Sequence, residues 1–595
     1  MDFFSNTTVT SGLIRSEDES LLLKQDLTRD GTVDMFGRQA SKSKTGGLKA
    51  SVLILASTVF AALAYAGVYI NLVLYLKGSL QEDSASAAMT VNSLAGFGYV
   101  TSLFGAFIGD AYLGRYWSGA LFLGIYLLGS LAVAVLTYLP AFTSDCTSVS
   151  AHCLHPILKN TFFIFLYISA LGLGGYQPCV TALGADQFDD GYEEEKVHKV
   201  AFFNWYYVCY NTGFMLANVV IIYIEDNYGY PLGFALSSGA LGLAVGFFLL
   251  GTPLYRHHRP SGNAFLRVGQ VVVATVRKWH VQSPSTDNLH ELYEDNSASK
   301  RSRKRIHSRR FRFLDKAATV TASDNAAETD QLTWHLCTVT QVEEVKCLLS
   351  VLPVWIAIVI YGAMFAQMNT FFVEQSALMN TQIGTFVVPS TYIFMFDTIS
   401  VYIWTIIYEN IIQPVASRRS GLSRGLTGLQ RIGIGLVFIM LAMAAAALVE
   451  KFRREFSMRS SMNLETDYRA QISVLWQIPQ YALVGASEVF TYMGQLEFFY
   501  DQAPDAFRGI GSAISLAAMA GGSYLSNTII FITTKATSSQ HSPGWLPRNL
   551  NEGKLDVYFW VLSFICLMNC IYFVICAQFY QYTNVDMGEA EDMQG

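Results

Sequence analysis

Residues 50–76 read ASVLILASTVFAALAYAGVYINLVLYL, a run without a single Asp, Glu, Lys or Arg. A helix that crosses a bilayer needs roughly 20 apolar residues, and this run is longer than that with charge excluded throughout. Blocks of the same kind recur about twelve times along the chain, at approximately 50–76, 86–108, 117–140, 158–182, 201–224, 232–255, 346–372, 388–412, 429–450, 472–497, 508–533 and 556–581. Composition agrees: of 595 residues, 52% are apolar and 14% charged, whereas soluble domains are roughly one-quarter charged.

Six blocks precede residue 255 and six follow residue 345, with a polar segment between them. Two six-helix halves around a central linker is the layout of the major facilitator architecture, whose halves rock about a midplane site. The expected fold is therefore an all-α integral membrane protein of major facilitator type, with twelve transmembrane helices in two bundles. The expected divisions are an N-terminal tail 1–48, a first bundle 49–255, a linker 256–344, a second bundle 345–582 and a C-terminal tail 583–595. An even number of spans puts both termini on one side. The linker's KRSRKRIHSRRFRF from Lys300, and RRSGLSR after span eight, assign that side to the cytosol by the positive-inside tendency, against the vote of KFRREF after span nine.

The linker's basic cluster reads as a solvated face or as a contact with anionic lipid headgroups. Nucleic-acid binding has no aromatic-interleaved platform in it. Nine cysteines without a CxxC give no support to metal or redox chemistry, and no cofactor is expected. Cys146 and Cys153 share one short loop, as a disulfide or as two thiols. EDESLL at 17–22 resembles an acidic dileucine sorting signal. No nucleophile, base and orienting group share a motif, so an enzyme is not expected.

Ionisable groups inside a membrane cost at least a few kcal/mol each and mark function. The first half contains almost none. Span five carries Asn204, Asn211 and Asn218 on one face, with Tyr207 beside them; span seven carries Gln367, Thr370 and Glu374; span ten carries Gln477, Tyr481, Glu488, Tyr492 and Gln495. Interhelical hydrogen bonding is one reading of such stripes; a water-accessible cavity explains the three helices together. Glu374 and Glu488 are then the candidates for loading and releasing a proton. Asp397, Glu409 and Glu497 are weaker candidates that could pair with interfacial cations such as Arg431. In GAFIGDAYLGRY, between spans two and three, Gly105, Gly109 and Gly114 surround Asp110 and Arg115, an opposite-charge pair suited to gating by latching the two halves.

Several long strings carry a family resemblance: GLGGYQPCVTALGADQFDD from Gly172, FFNWYYVCYNTG from Phe202, VTQVEEVKCLLSVLPVW from Val339, WQIPQYALVGASEVFTYMGQLEFFYDQAPDAFRGIGSA from Trp476 and PGWLPRNLNEGKLD from Pro543. Together they resemble the plant nitrate and peptide transporter family, a branch of the proton-coupled oligopeptide transporters, over nearly the whole chain. GGYQP, GTPLYR and FFVEQ look most similar to the subfamily of root-to-shoot nitrate transporters also linked to potassium export.

The resemblance implies a Glu-x-x-Glu-Arg element in span one, but the matching positions are Thr58, Ala61 and Ala62, and the usual span-four lysine is Gln177. These losses are mutually consistent, because a lone lysine beside an uncharged span would be an unpaired buried charge. Proton coupling then falls to the second half, with Glu488 matching the family's span-ten glutamate. A histidine that one relative uses for nitrate falls at Phe365. The implied substrate cavity comprises Tyr65, Tyr69, Gln177, Asn204, Asn211, Phe365, Gln367, Gln477, Tyr481 and Gln495. Such a cavity, short of fixed positive charge, favours a cation, or an anion accompanied by protons. The expectation is a secondary transporter moving nitrate with protons at low affinity, in the plasma membrane or the vacuolar membrane. A proton/potassium antiporter, a peptide or hormone transporter and a non-transporting sensor are the alternatives.

Overall fold

The computed structural model describes residues 27–28, 30–139, 156–189, 191–258, 264–281, 292–293, 307–308, 310–321, 334–420, 425–461, 472–502, 508–539 and 544–580. EDESLL, Cys146, Cys153 and most of the basic run from Lys300 lie outside these residues, as does the side chain of Glu497.

The opening run forms α1 (Gly47–Tyr69), which breaks at Ile70 and Asn71 before a short α2 (Leu72–Gly78). The first half continues through α3 (Ser84–Ile108), α4 (Arg115–Thr137), α5 (Pro156–Ala185), α6 (Glu193–Leu216), α7 (Ile222–Tyr228) and α8 (Tyr230–Leu250). In the linker lies α9 (Ala264–Arg277). The second half comprises α10 (Val339–Phe365), α11 (Phe371–Ala377), α12 (Met395–Ile407), α13 (Gln413–Ser420), α14 (Gly428–Ser461), α15 (Ile478–Gln502), α16 (Arg508–Thr537) and α17 (Leu555–Phe579).

Among the described residues, 11 helical stretches are long and apolar enough to cross a membrane. The expected span ten exists as α15 but is not among them. Gln480, Ser487, Glu488, Thr491 and Gln495 give it too polar a composition, although all but Glu488 are fully buried. Starts and stops follow local chemistry. Thr338 and Gln341 form a reciprocal capping box that opens α10. Gly229, at φ +98°, turns the chain, and Pro231 sits in the first turn of α8, where its missing N–H costs nothing.

Two compact units emerge: described residues up to 75 with 104–261, and residues 76–103 with those from 262 onward. Within the first, α4 and α5 approach through glycine. A methyl group at Gly172 would fall 2.2 Å from the backbone nitrogen of Tyr126, and one at Gly129 would fall 2.5 Å from that of Ser169. Small residues at such crossings let helix backbones pack without a hydrophobic drive between them. Aromatic packing completes this core, with Tyr116 stacked on Phe248 at 5.5 Å.

The linker is not wholly polar. Val271 and Ala274 of α9 and Leu314, Ala317 and Ala318 of a 3-10 helix at Arg312–Ala318 bury themselves with Cys337, Val342 and Val345 at the base of α10. Lys346 ties this block down, reaching Asp315 at 2.6 Å, Glu343 at 2.8 Å and the carbonyl of Ser308 at 2.9 Å.

Candidate functional site

In the first unit, Tyr65 and Tyr69 stack at 4.8 Å on one face of α1, with Phe214 of α6 edge-on at 5.8 Å. Their spacing of four residues makes this a helical stripe. Gln177 is half-buried on α5, next to Tyr176, whose hydroxyl shares a 2.9 Å hydrogen bond with Ser57. The asparagine stripe of α6 is uneven: Asn204 is exposed, whereas Asn211 and Asn218 are buried. Asn211 donates to the Tyr207 carbonyl at 3.0 Å and Asn218 to that of Phe214 at 3.4 Å, so both bond within their own helix rather than across helices.

Arg115 accepts two carboxylates, Asp110 at 2.9 Å and Asp186 at 2.6 Å. Burial pushes the Asp186 carboxyl up, and the Arg115 guanidinium pulls it back down. Gly114, at φ +81°, makes the turn that presents Arg115 to both. All three charges belong to the first unit. The expected latch between halves is thus, in these contacts, an ion triad within one half. Its third member, Asp186, lies in the quoted GADQFDD and carried no flag as a charge partner.

The first half is also less bare of membrane charge than its sequence suggests. Glu225, near the end of the fifth span, is buried and takes a hydrogen bond from Asn71 Nδ2 at 2.8 Å.

In the second unit, Glu374 lies on α11, beyond a 3-10 turn (Ala366–Asn369) that interrupts span seven. Its carboxylate is fully enclosed and meets Lys77 Nζ at 2.6 Å. Lys77, the last-turn cation of α2, was not foreseen as a partner; the charge-free run ends one residue before it. Glu488 stands elsewhere, half-buried, with Tyr99, Tyr361 and Asp397 as its electrostatic neighbours. From the level of Tyr361 to that of Glu374 the helical rise is roughly 20 Å, so the two glutamates occupy separate levels of the bundle. Asp397 pairs electrostatically with Glu488 and not with Arg431, which lies over the Tyr408 ring at 4.3 Å. Glu409 is exposed.

Gln367 is fully buried, donating to Ser526 Oγ at 2.9 Å, which also accepts from Asn92 at 3.0 Å. Thr370 donates to the Ala366 carbonyl at 3.0 Å, within its own turn. Phe365 stacks on Tyr361 at 6.1 Å. Gln477 belongs to a buried lock: it donates to Gln375 Oε1 at 3.0 Å, and Gln375 donates to Glu450 at 3.0 Å. Glu450 is held by Arg453 at 2.7 and 2.8 Å. Sequence reading left KFRREF in a loop, yet Arg453 is fully buried inside α14. Tyr481 is enclosed between Phe372 and Phe394, at 5.6 and 6.2 Å. Gln495 is fully buried, and neither of its side-chain polar atoms meets a protein partner. The predicted cavity residues therefore divide between packing locks and open polar positions.

His307, Asp315 and Glu343 bring three ligand-type atoms within 4.8 Å of one another. Lys346, at 2.6 and 2.8 Å from the two carboxylates, already supplies the positive charge there.

Residues 116–546 match the family model described as POT family. Among curated proteins, NRT1/PTR FAMILY 8.3 of Arabidopsis thaliana is 42% identical over 95% of this chain and 97% of its own. NRT1/PTR FAMILY 7.3 of the same plant is 39% identical over 96% and 94%. Overall identity thus does not favour subfamily seven over subfamily eight. Among solved structures, the POT family transporter PepTSo superimposes with a TM-score of 0.62 at 18% identity, covering 90% of this chain and 99% of that one.

Proposed function

Because the chain belongs to the POT family of multi-pass membrane transporters, we propose that it is a secondary transporter moving a small anion, nitrate first, together with protons by alternating access. The observation that carries the reading is the 2.6 Å pair between Lys77 and the enclosed Glu374. While Glu374 is ionised, the pair is neutral and offers an anion nothing. A proton on Glu374 releases the Lys77 ammonium, which then becomes a positive charge in a low-dielectric surrounding, where attraction for an anion is strong. Proton and anion thus favour each other's binding, and linkage makes that preference mutual. Peptides suit the chain less well: the family's arginine and lysine positions are Ala62 and Gln177, so a peptide carboxylate lacks its usual partners.

A specific observation favours a second reading. Asp397 and Glu488 are neighbouring carboxylates on two helices of the second unit, an arrangement that suits proton-for-potassium exchange. Oocyte uptake of labelled nitrate and of rubidium, at acidic and neutral external pH, separates the two. Nitrate uptake that rises with acidity in the wild type, persists without pH dependence in Glu374→Gln and disappears in Lys77→Met supports anion symport. Rubidium flux with no nitrate flux would overturn it. The plasma membrane is the proposed location, and a fluorescent fusion found at the vacuolar membrane would refute that.

A further inference from the structure

A seam in the first unit assembles oxygen atoms that no substrate reading uses. Gly67, Asn71 and Tyr75 recur every fourth residue from α1 into α2, on one side of the chain. Facing them are Tyr230, Gly233, Phe234 and Ser237 of α8. Tyr75 meets Tyr230 at 4.9 Å and Phe234 at 5.3 Å. A methyl group at Gly67 would fall 2.3 Å from Ser237 Oγ, and one at Gly233 would fall 2.2 Å from Glu225 Cγ. Both glycines thus leave space that side chains fill, and what Gly233 admits is the Glu225 carboxylate.

Glu225 reaches the seam from α7, just past a π turn at Ala217–Ile221. Glu225, Asn71, Tyr75 and Ser237 are each at most 5% exposed. Asn71 Nδ2 donates to Glu225 Oε2 at 2.8 Å. Glu225 Oε1, Asn71 Oδ1, Ser237 Oγ and Tyr75 Oη meet no protein partner. The charged or titratable groups acting on this site are the exposed Asp226, the residue next to Glu225, and the two tyrosines Tyr75 and Tyr230; all are acids. A carboxylate enclosed this way is costly unless a positive charge joins it. The donor set is all oxygen and carries one negative charge, so a single positive charge neutralises it and a divalent ion overshoots.

We infer that Glu225, Asn71, Ser237 and Tyr75 form a monovalent-cation site inside the first unit, occupied by a proton or by an alkali metal ion. The site is independent of the substrate proposed above and of the Lys77–Glu374 pair.

The test uses purified full-length protein in lipid nanodiscs and reads unfolding temperature, so it does not depend on knowing the substrate. One arm titrates sodium and potassium against choline at fixed pH; the other varies pH in choline alone. Wild type is compared with Glu225→Gln, which preserves the size of the side chain and removes its charge. A cation-dependent rise in the wild type that is lost in Glu225→Gln identifies an alkali ion. A difference confined to the pH arm identifies a proton. Identical responses of the two proteins in both arms overturn the inference. Should Glu225→Gln fail to fold, the wild type is labelled with a hydrophobic carbodiimide and Glu225 modification is read by peptide mass spectrometry. Labelling slowed by alkali ions, or by raised pH, supports the corresponding occupant; labelling indifferent to both, or absent throughout, overturns the site.

Discussion

Separating Lys77 from Glu374 has a calculable cost. The charged atoms lie 2.6 Å apart, with the Glu374 side chain fully enclosed and that of Lys77 24% exposed. At an effective dielectric constant of about 20, Coulomb attraction at that distance is about 6 kcal/mol. Desolvation takes back part of this, and the partly wet ammonium limits the remainder, so we expect a net coupling of about 2–4 kcal/mol. Lys77→Met strands a buried carboxylate and should destabilise by about 3–5 kcal/mol. Glu374→Gln should cost less, about 1–2 kcal/mol, because the freed ammonium can turn toward water. The double variant should recover most of the Lys77→Met loss, since no charge is then left unpaired. Unfolding of all four proteins in nanodiscs, followed as a double-mutant cycle, measures the coupling directly. Additivity within about 0.5 kcal/mol would refute the account, because it would mean that the two groups do not sense each other.

Gly172→Ala should destabilise by about 1–3 kcal/mol through overpacking against the Tyr126 backbone, seen as a lower unfolding temperature; an unchanged value would show that α4 and α5 separate freely. Arg453→Met leaves Glu450 buried without its bidentate partner, and should cost about 3–5 kcal/mol and sharply lower the monodisperse yield, with Arg453→Met/Glu450→Gln recovering much of it. Burial pushes the Cys337 thiol up to about 11. The thiolate is therefore scarce at neutral pH, and iodoacetamide should label Cys337 only after unfolding; rapid labelling of the folded protein would contradict its placement in the linker core.

What the sequence made legible was whatever depends on exclusion. The run at 50–76 announces a helix because charge is absent from it, and span boundaries elsewhere follow to within several residues for the same reason. Charges that do enter the membrane were harder to read. Glu225 precedes DNYG and so looks like the start of a loop; Glu450 and Arg453 belong to a run that reads as a connection; Lys77 closes an apolar block in the manner of an interfacial anchor. Each is distinguished by a partner distant in sequence: Asn71, Gln375 and Glu374 respectively. No local pattern encodes those pairings. The linker core was different, since AFLRVGQVVVATVR already carries an apolar stripe at helical spacing, and its amphipathic period could have been found.

The helix Ser84–Ile108 starts among residues assigned to the second unit and finishes among those of the first, the boundary falling between Leu103 and Phe104. Asn92 and Ser93 on it are hydrogen-bonded to Ser526 and Asn527, which come more than four hundred positions later. A chimaera joined at the central linker, with its first half taken from a relative, would therefore pair foreign residues 76–103 with a native C-terminal bundle. Grafts that exchange 76–103 along with that bundle keep those bonds intact, and they are the better design for mapping substrate preference between paralogues.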